Sequence, residues 1–370
     1  MMKTQLATGL LTSMLFACAA TSQQDLSVKP GVPVGKLIAA RDMTTARGGH
    51  TATILPDFKV LIVGGKQEQG VVQATTEVYD PTTETFSPGA KMAVAREGHV
   101  AASLPDGKVL VVGGSTTGGI PLSSCEDYDY ETGRFTNRGE MHAPRVHAVA
   151  TVLRDGRVLV TGGEDKNHPL DSAELYNVLT GRWTLAAKMT SPRANHTSTL
   201  LSDGRVLIAG GTGLHHAPLA TAEIFDPKTN QFMPTARLRE ARSNHTAALL
   251  ASGAVLIAGG SDGAAHGTLA SAEVYKPQTG SFTLTGSLAE PRAKLPDSTA
   301  LLDGRVLIVG GAASAEIYDP KAGSFRTVVG TMDTARYSSA ALQLMDGSTR
   351  IFGGYDSSGV STAKTWIYRP

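Results

Sequence analysis

A recurrent arginine and ten histidines are the residues of this chain with the most chemistry to offer, and both follow a spacing. His50, His99, His196 and His245 each stand three residues after an arginine, at Arg47, Arg96, Arg193 and Arg242. The same arginine recurs as Arg145, Arg292 and Arg336, but there the histidine is shifted to His147 or missing. Imidazoles and guanidiniums around one opening could receive an anion, a sugar acid or a transition metal. Repetition argues the other way. A histidine copied into unit after unit is expected to pack, with its ring bonded to nearby backbone. Glu77, Glu126, Glu174, Glu223, Glu273 and Glu316 recur in the same way, and partly buried Arg–Glu pairs within or between units are expected.

The elements that carry these residues repeat too. Gly-Gly closes an apolar run at positions 64, 113, 162, 210, 259, 310 and 353, at intervals of 43 to 51 residues. A period near fifty with several short strands in each unit predicts a radial array of four-stranded sheets. The first strand of a unit is short and filled with small residues, as in His50-Thr-Ala-Thr. A tight turn follows, commonly Asp-Gly, then a second strand such as Val60-Leu-Ile-Val that reads as buried on both faces. Glu77-Val-Tyr-Asp exemplifies the third strand, and an aromatic (Phe86, Phe135, Trp183, Phe232, Phe282, Phe325) opens the fourth.

The glycine pair, the Tyr-Asp and the outer aromatic resemble kelch repeats, over residues 34–370. The resemblance implies an all-β fold, a seven-bladed kelch-type β-propeller. The seventh unit ends at Tyr368-Arg-Pro370 and lacks its outer strand, while Leu37 precedes Met43 by the spacing that separates Phe86 from Met92. The N-terminal strand is therefore expected to complete the last blade and remove its open edge.

Strand order puts the second-to-third loops and the blade connections on one rim, with both hairpin turns on the opposite face. The pattern breaks on that rim. Unit six reads Arg292-Ala-Lys294-Leu-Pro-Asp297 in place of the histidine, and its second-to-third loop shrinks to residues 312–315. A notch is expected there, bordered by Arg292, Lys294, Asp297 and the loop histidine His266. Arg336 and Tyr337 of unit seven stand beside it. In unit three Ala148 takes the ring position, so His147 is expected to point elsewhere. These seven residues form the candidate binding set.

Lys plus Arg is 34 and Asp plus Glu is 33, so no strong field draws in nucleic acid. Lys3 and the apolar stretch 6–16 read as an export signal, too short to span a bilayer. Leu15-Phe16-Ala17-Cys18 resembles a bacterial lipobox, which implies a lipid on Cys18, contact with a membrane through that anchor alone, and an outer-membrane location. Conventional cleavage to a periplasmic or secreted product is the alternative. Residues 1–18 are thus expected as the signal and 19–33 as a flexible tether. Cys125, the other cysteine, reads as a small buried residue.

No catalytic motif stands out: there is no Gly-x-Ser-x-Gly, His-Glu-x-x-His, phosphate loop or zinc spacing. Galactose oxidase shares the kelch fold, and its copper site uses two tyrosines, one crosslinked to a cysteine, and two histidines, one from a domain after the propeller. Cys125, with Tyr128 and Tyr130 nearby, does not resemble that arrangement, and no such domain is read here. Sialic acid mutarotases are similar in fold but imply six blades. The expectation is a monomeric, non-catalytic module without cofactor or metal that binds a protein or carbohydrate at its rim. A sugar-acid isomerase is the alternative, and a copper oxidase a more distant one.

Overall fold

Apolar runs closed by two glycines have no polar face to offer water, and the fold gives them none. The structure, a computed structural model, describes residues 35–263, 267–295 and 299–370. Val60–Val63, Val109–Val112, Val158–Thr161, Val206–Ala209 and Val255–Ala258 are buried at every position. Each is the second strand of an antiparallel sheet of four, such as Thr51–Ile54, Val60–Val63, Thr76–Asp80 and Thr85–Pro88 in chain order. Five sheets have this form.

The sixth sheet has eight strands. One half runs from Thr299–Ala300 out to Ser324–Thr331; the other holds Ala340–Gln343, Thr349–Phe352, Thr365–Arg369 and the N-terminal strand Lys36–Ala40. A single parallel pair, Lys36 with Val329, joins the halves, whereas Lys36–Ala40 is paired with Thr365–Arg369 along its whole length. The N-terminal strand is thus the outer strand of the last unit. Each inner strand also contacts the inner strand of the next unit, and Ala340–Gln343 contacts Thr51–Ile54. Seven four-stranded blades close a ring.

Apolar side chains fill the space between blades. Leu201, Leu207 and Ile224 of the fourth blade pack on Val255, Ile257 and Tyr275 of the fifth. Across the third and fourth strands, the ring of Tyr79 meets Phe86 with centroids 4.8 Å apart, and five other blades repeat that pair. In the last blade Leu37 stands opposite Tyr368 in the aromatic's place and is buried. Truncating Leu37→Ala should therefore cost about 2–5 kcal/mol, as for a core leucine. Denaturant unfolding checks this, and a cost near zero would mean that the N-terminal strand does not close the ring.

Candidate functional site: the mouth of the ring

The arginines that precede the inner strands do not reach solvent. Arg47, Arg96, Arg145, Arg193, Arg242 and Arg292 are fully buried. Arg193 shows the arrangement: Nη1 donates to the Gly210 and Thr221 carbonyls, and Nη2 donates to the Thr221 hydroxyl at 3.1 Å and to Glu223 Oε1 at 2.8 Å. The partner glutamate belongs to the third strand of the same blade and faces back to the connection. Glu77 accepts the backbone N–H groups of Thr44 and Thr45 at 2.7 and 3.1 Å. These pairs are wholly rather than partly buried, and all lie within one blade. A lone charge there would carry a large desolvation cost, so fixed geometry and several donors are required.

Blade seven departs from this for a visible reason. Trp366 stands opposite Ile351 as Glu77 stands opposite Ile62. Arg336 turns instead to Asp333, whose two carboxylate oxygens both lie 2.9 Å from Nη2, and its guanidinium sits 5.5 Å from the Trp366 ring.

Two residues after each arginine the backbone turns left-handed. Gly49, Gly98, His147, Asn195, Asn244, Lys294 and Ser338 all have φ between 49° and 64°. Each N–H in this set donates to the carbonyl of its counterpart in the preceding blade, from Gly98 to Gly49 at 3.0 Å through to Gly49 to Ser338 at 2.9 Å. Seven such bonds close a belt around the axis. Glycine and asparagine are the residues that take this conformation at least cost. At His147, Lys294 and Ser338 the belt holds other side chains in it.

The repeated histidines lie just beneath the belt and are buried. His99 Nε2 is 2.9 Å from the Thr51 hydroxyl, His245 Nε2 is 2.9 Å from Thr197, and His196 Nε2 is 2.8 Å from Thr161. The partners are threonine hydroxyls of the neighbouring blade, not backbone. His50 has neither ring nitrogen paired, because Ala340 and Phe352 occupy the positions where its counterparts meet threonine. Burial, reinforced by the nearby arginines, lowers His50, His99 and His245 to about 3 and holds His196 well below its ordinary value. They are neutral at physiological pH, so their role is packing. Ala148 stands in the same place in blade three and Leu295 in blade six.

The candidate residues scatter accordingly. Arg292 bonds Glu316 Oε1 at 2.7 Å and is withdrawn from the rim, and Arg336 is buried against Asp333. Both are corrections to the expected set, and the cause is the charge pairing of their own blades. Asp297 and His266 lie outside the described residues, as do Cys18, the signal and the tether. Lys294 and His147 are exposed and lie three places apart on the seven-membered belt, on nearly opposite sides of the mouth. Tyr337 is half-buried, its backbone paired with Tyr355 at 2.8 and 2.9 Å.

Several mouth residues were missed. Asn195 and Asn244 carried a signal, since Gly, Gly, Asn, Asn before a histidine is a left-handed signature. Lys66, Glu164 and Tyr355 each follow a Gly-Gly pair and Glu97 follows Arg96, but these places change residue type from blade to blade and gave none. His147 Nδ1 lies 2.9 Å from Glu164 Oε1, and this bond outweighs partial burial to hold the Glu164 carboxyl below its ordinary range. Lys66 Nζ lies 3.0 Å from Glu97 Oε1, and Tyr355 Oη lies 3.2 Å from Glu97 Oε2 and 2.9 Å from the Gly48 carbonyl. Burial, with Glu97 adjacent, pushes the Tyr355 phenol up, so it remains a donor. Such a mouth offers hydrogen bonds and paired charges rather than a nucleophile with its base. On the opposite face, a cleft of ≈ 540 Å³ includes Arg154, Asp155, Asp203 and Arg205. Two of its carboxylates are held by neighbouring arginines, Asp155 by Arg157 at 2.6 Å and Asp203 by Arg205 at 2.7 Å.

Two outcomes follow for stability. Arg193→Ala leaves Glu223 buried and unpaired, and should cost about 3–5 kcal/mol in denaturant unfolding. An unchanged midpoint would show the pair to be dispensable. Below pH ~6.5 the unfolded chain takes up protons that the buried histidines refuse until about pH 3, so the native state loses ground as pH falls. Each histidine contributes a slope of about 1.4 kcal/mol per pH unit in that window. Unfolding at pH 7, 6 and 5 measures it, and a flat profile would contradict neutral burial.

Comparison with known proteins agrees with this construction. The KLHDC2/KLHL20/DRC7 Kelch-repeats domain matches residues 49–260, more than half of the chain. No curated protein sequence matches. Among solved structures, a fungal alcohol oxidase of the AA5 family in complex with copper is similar, with a TM-score of 0.75 at 16% identity, over 91% of this chain and 76% of that one. That degree of identity carries the fold alone. The donors here do not fit copper: the repeated imidazoles are buried, and His147 is engaged with Glu164. Cys125 is sealed in an apolar cluster, and burial pushes its thiol up to about 12. Among the described residues no three His, Cys, Asp or Glu side chains converge as a metal site would need. On the match over more than half its length, the chain belongs to the KLHDC2/KLHL20/DRC7 Kelch-repeats domain family.

Proposed function

We propose that this chain is a non-catalytic binding module, exported and held at the cell envelope by a lipid on Cys18, that engages a partner through its loop-bearing rim. One observation carries the reading. Seven equivalent belt positions share one backbone conformation and one hydrogen-bond pattern, yet present Gly, Gly, His, Asn, Asn, Lys and Ser. Constant backbone with changing side chains is how a scaffold bears a recognition surface. The residues that could have done chemistry are committed to the frame instead.

A protein partner is favoured over a carbohydrate by the loops around the mouth. Val71, Ile120, Leu214 and Val360 are exposed on the second-to-third loops of blades one, two, four and seven. Apolar tips around a polar centre suit a polypeptide surface.

Lys294→Ala with His147→Ala removes two exposed side chains and should leave unfolding unchanged within about 0.5 kcal/mol. Binding to the partner isolated with the wild-type protein should weaken at least about tenfold, corresponding to about 1.4 kcal/mol. Retained affinity would remove the mouth as the site, and glycan-array binding without a protein partner would assign it to carbohydrate. Stoichiometric transition metal in the purified protein would overturn the non-catalytic reading altogether.

A further inference from the structure

The face opposite the mouth carries an apolar crescent that the rim site does not use. In six blades the first hairpin turn has glycine at its fourth residue (Gly107, Gly156, Gly204, Gly253, Gly304, Gly347), with φ from 80° to 89°. Blade one has Phe58 there, at φ 65°. A bulky residue in that region is an outlier. It is also displayed: Phe58 is 55% exposed, Leu302 of the blade-six turn 81% and Met345 of the blade-seven turn 67%.

These side chains fall on consecutive blades and form one surface. In five of the turns the second residue lies against the glycine of the next blade's turn. A methyl at Gly347 would stand 3.2 Å from Leu302, one at Gly107 3.1 Å from Pro56, and one at Gly156 3.3 Å from Pro105. Met345 holds that second place in the blade-seven turn, the one that precedes the blade-one turn of Phe58 around the ring. Leu302, Met345, Phe58, Pro56 and Pro105 therefore form an arc over blades six, seven, one and two. Across the ring the corresponding positions are Arg154, Ser202 and Ala251.

The first described residues lie on the same face as this arc, at the outer strand of blade seven. Lys36 pairs with Arg369 at the turn end of blade seven, and a methyl at Gly35 would meet the Tyr368 ring and the Arg369 carbonyl. Gly35 and Lys36 are therefore on the face, and in the blade, that carries Met345. The local charges are largely paired, as Arg305–Asp303 at 2.6 Å and Lys59–Asp57 at 3.0 Å. That leaves apolar insertion as the means of attachment.

We propose that the Phe58–Met345–Leu302 crescent seats the propeller on a lipid surface and turns the loop-bearing rim away from it. This rests on the lipid anchor at Cys18. A strained phenylalanine kept in a glycine position, in full view of solvent, is a residue retained for what it touches. Side chains of this kind enter the headgroup and acyl boundary.

The full chain, expressed in a lipoprotein-processing host, is placed on phosphatidylcholine vesicles with plain or brominated acyl chains. The mass of the processed protein reports acylation of Cys18 separately. In F58W, emission above that of Trp183 and Trp366 should fall about twofold on brominated lipid, as for a ring about 5–10 Å into the boundary. Hydrogen exchange of the wild-type protein provides the second measurement. Turns 55–59, 301–305 and 344–348 should slow on vesicles while turns 153–157 and 250–254 do not, and the slowing should vanish in F58G/L302S/M345S. Acylated protein whose crescent is neither quenched nor protected overturns the proposal and leaves the anchor intact. Quenching without acylation keeps the crescent and removes the anchor, and failure of both removes both. Concentration-dependent burial of the introduced indole of F58W without vesicles would overturn the proposal in favour of self-association.

Discussion

The arginine before each inner strand couples the inside of a blade to its neighbour. In six blades its side chain gathers two carbonyls, a hydroxyl and a carboxylate from its own blade, as Arg96 does. Its carbonyl accepts the N–H of the second glycine in the preceding blade: Gly65 to Arg96, Gly114 to Arg145, and so on round to Gly354 to Arg47, at 2.7 to 2.9 Å. A Cβ on Gly64 would lie 2.5 Å from that same Arg96 oxygen, so the glycine pair is required by the arginine of the next blade. Neither motif makes sense alone. Buried ion pairs are weak grounds for stability, but here each also satisfies backbone groups at a strand end that water cannot reach.

From this coupling the separation of frame and function follows. With side chain and carbonyl of the arginine fixed, the second residue after it turns left-handed into the inner strand, and the belt bonds form. That conformation constrains the backbone and leaves the side chain free to differ. Chemistry is thereby pushed to the belt side chains and the loops. The buried histidines illustrate the cost of doing otherwise: His50 keeps two unpaired ring nitrogens because its neighbouring blade supplies Ala340. An imidazole that tolerates this is filling space.

Most of the frame was legible in the sequence because it repeats. The glycine pairs, the Arg–Glu series and the offset from Leu37 to Met43 led to the strand order and to the closing N-terminal strand. The depth of the arginines was not legible. Spacing says that Arg292 is equivalent to Arg47, but the break at Lys294 drew attention to it as a rim residue. The equivalence was the better guide, since Glu316 is still present to receive it. The mouth was harder. Lys66, Glu97 and Tyr355 meet from different blades. Although Lys66, Glu164 and Tyr355 share the place after Gly-Gly, the residue type there changes from blade to blade, so spacing alone did not single them out. Phe58 was visible as an exception to Asp-Gly, but its exposure and its two apolar neighbours needed the ring.

The similarity to a copper-binding alcohol oxidase fits the same logic. At 16% identity the likeness is one of fold alone, and in this chain the residues that hold the blades together are buried. A copper centre asks for imidazoles and phenols converging on one open point. Here the repeated imidazoles are sealed beneath the belt, and the phenol of Tyr355 is spent on Glu97 and the Gly48 carbonyl. Transferring the activity would require the frame residues themselves to do the chemistry. They cannot leave those places without opening the ring, so the side chains free to differ between blades are those of the belt and the loops.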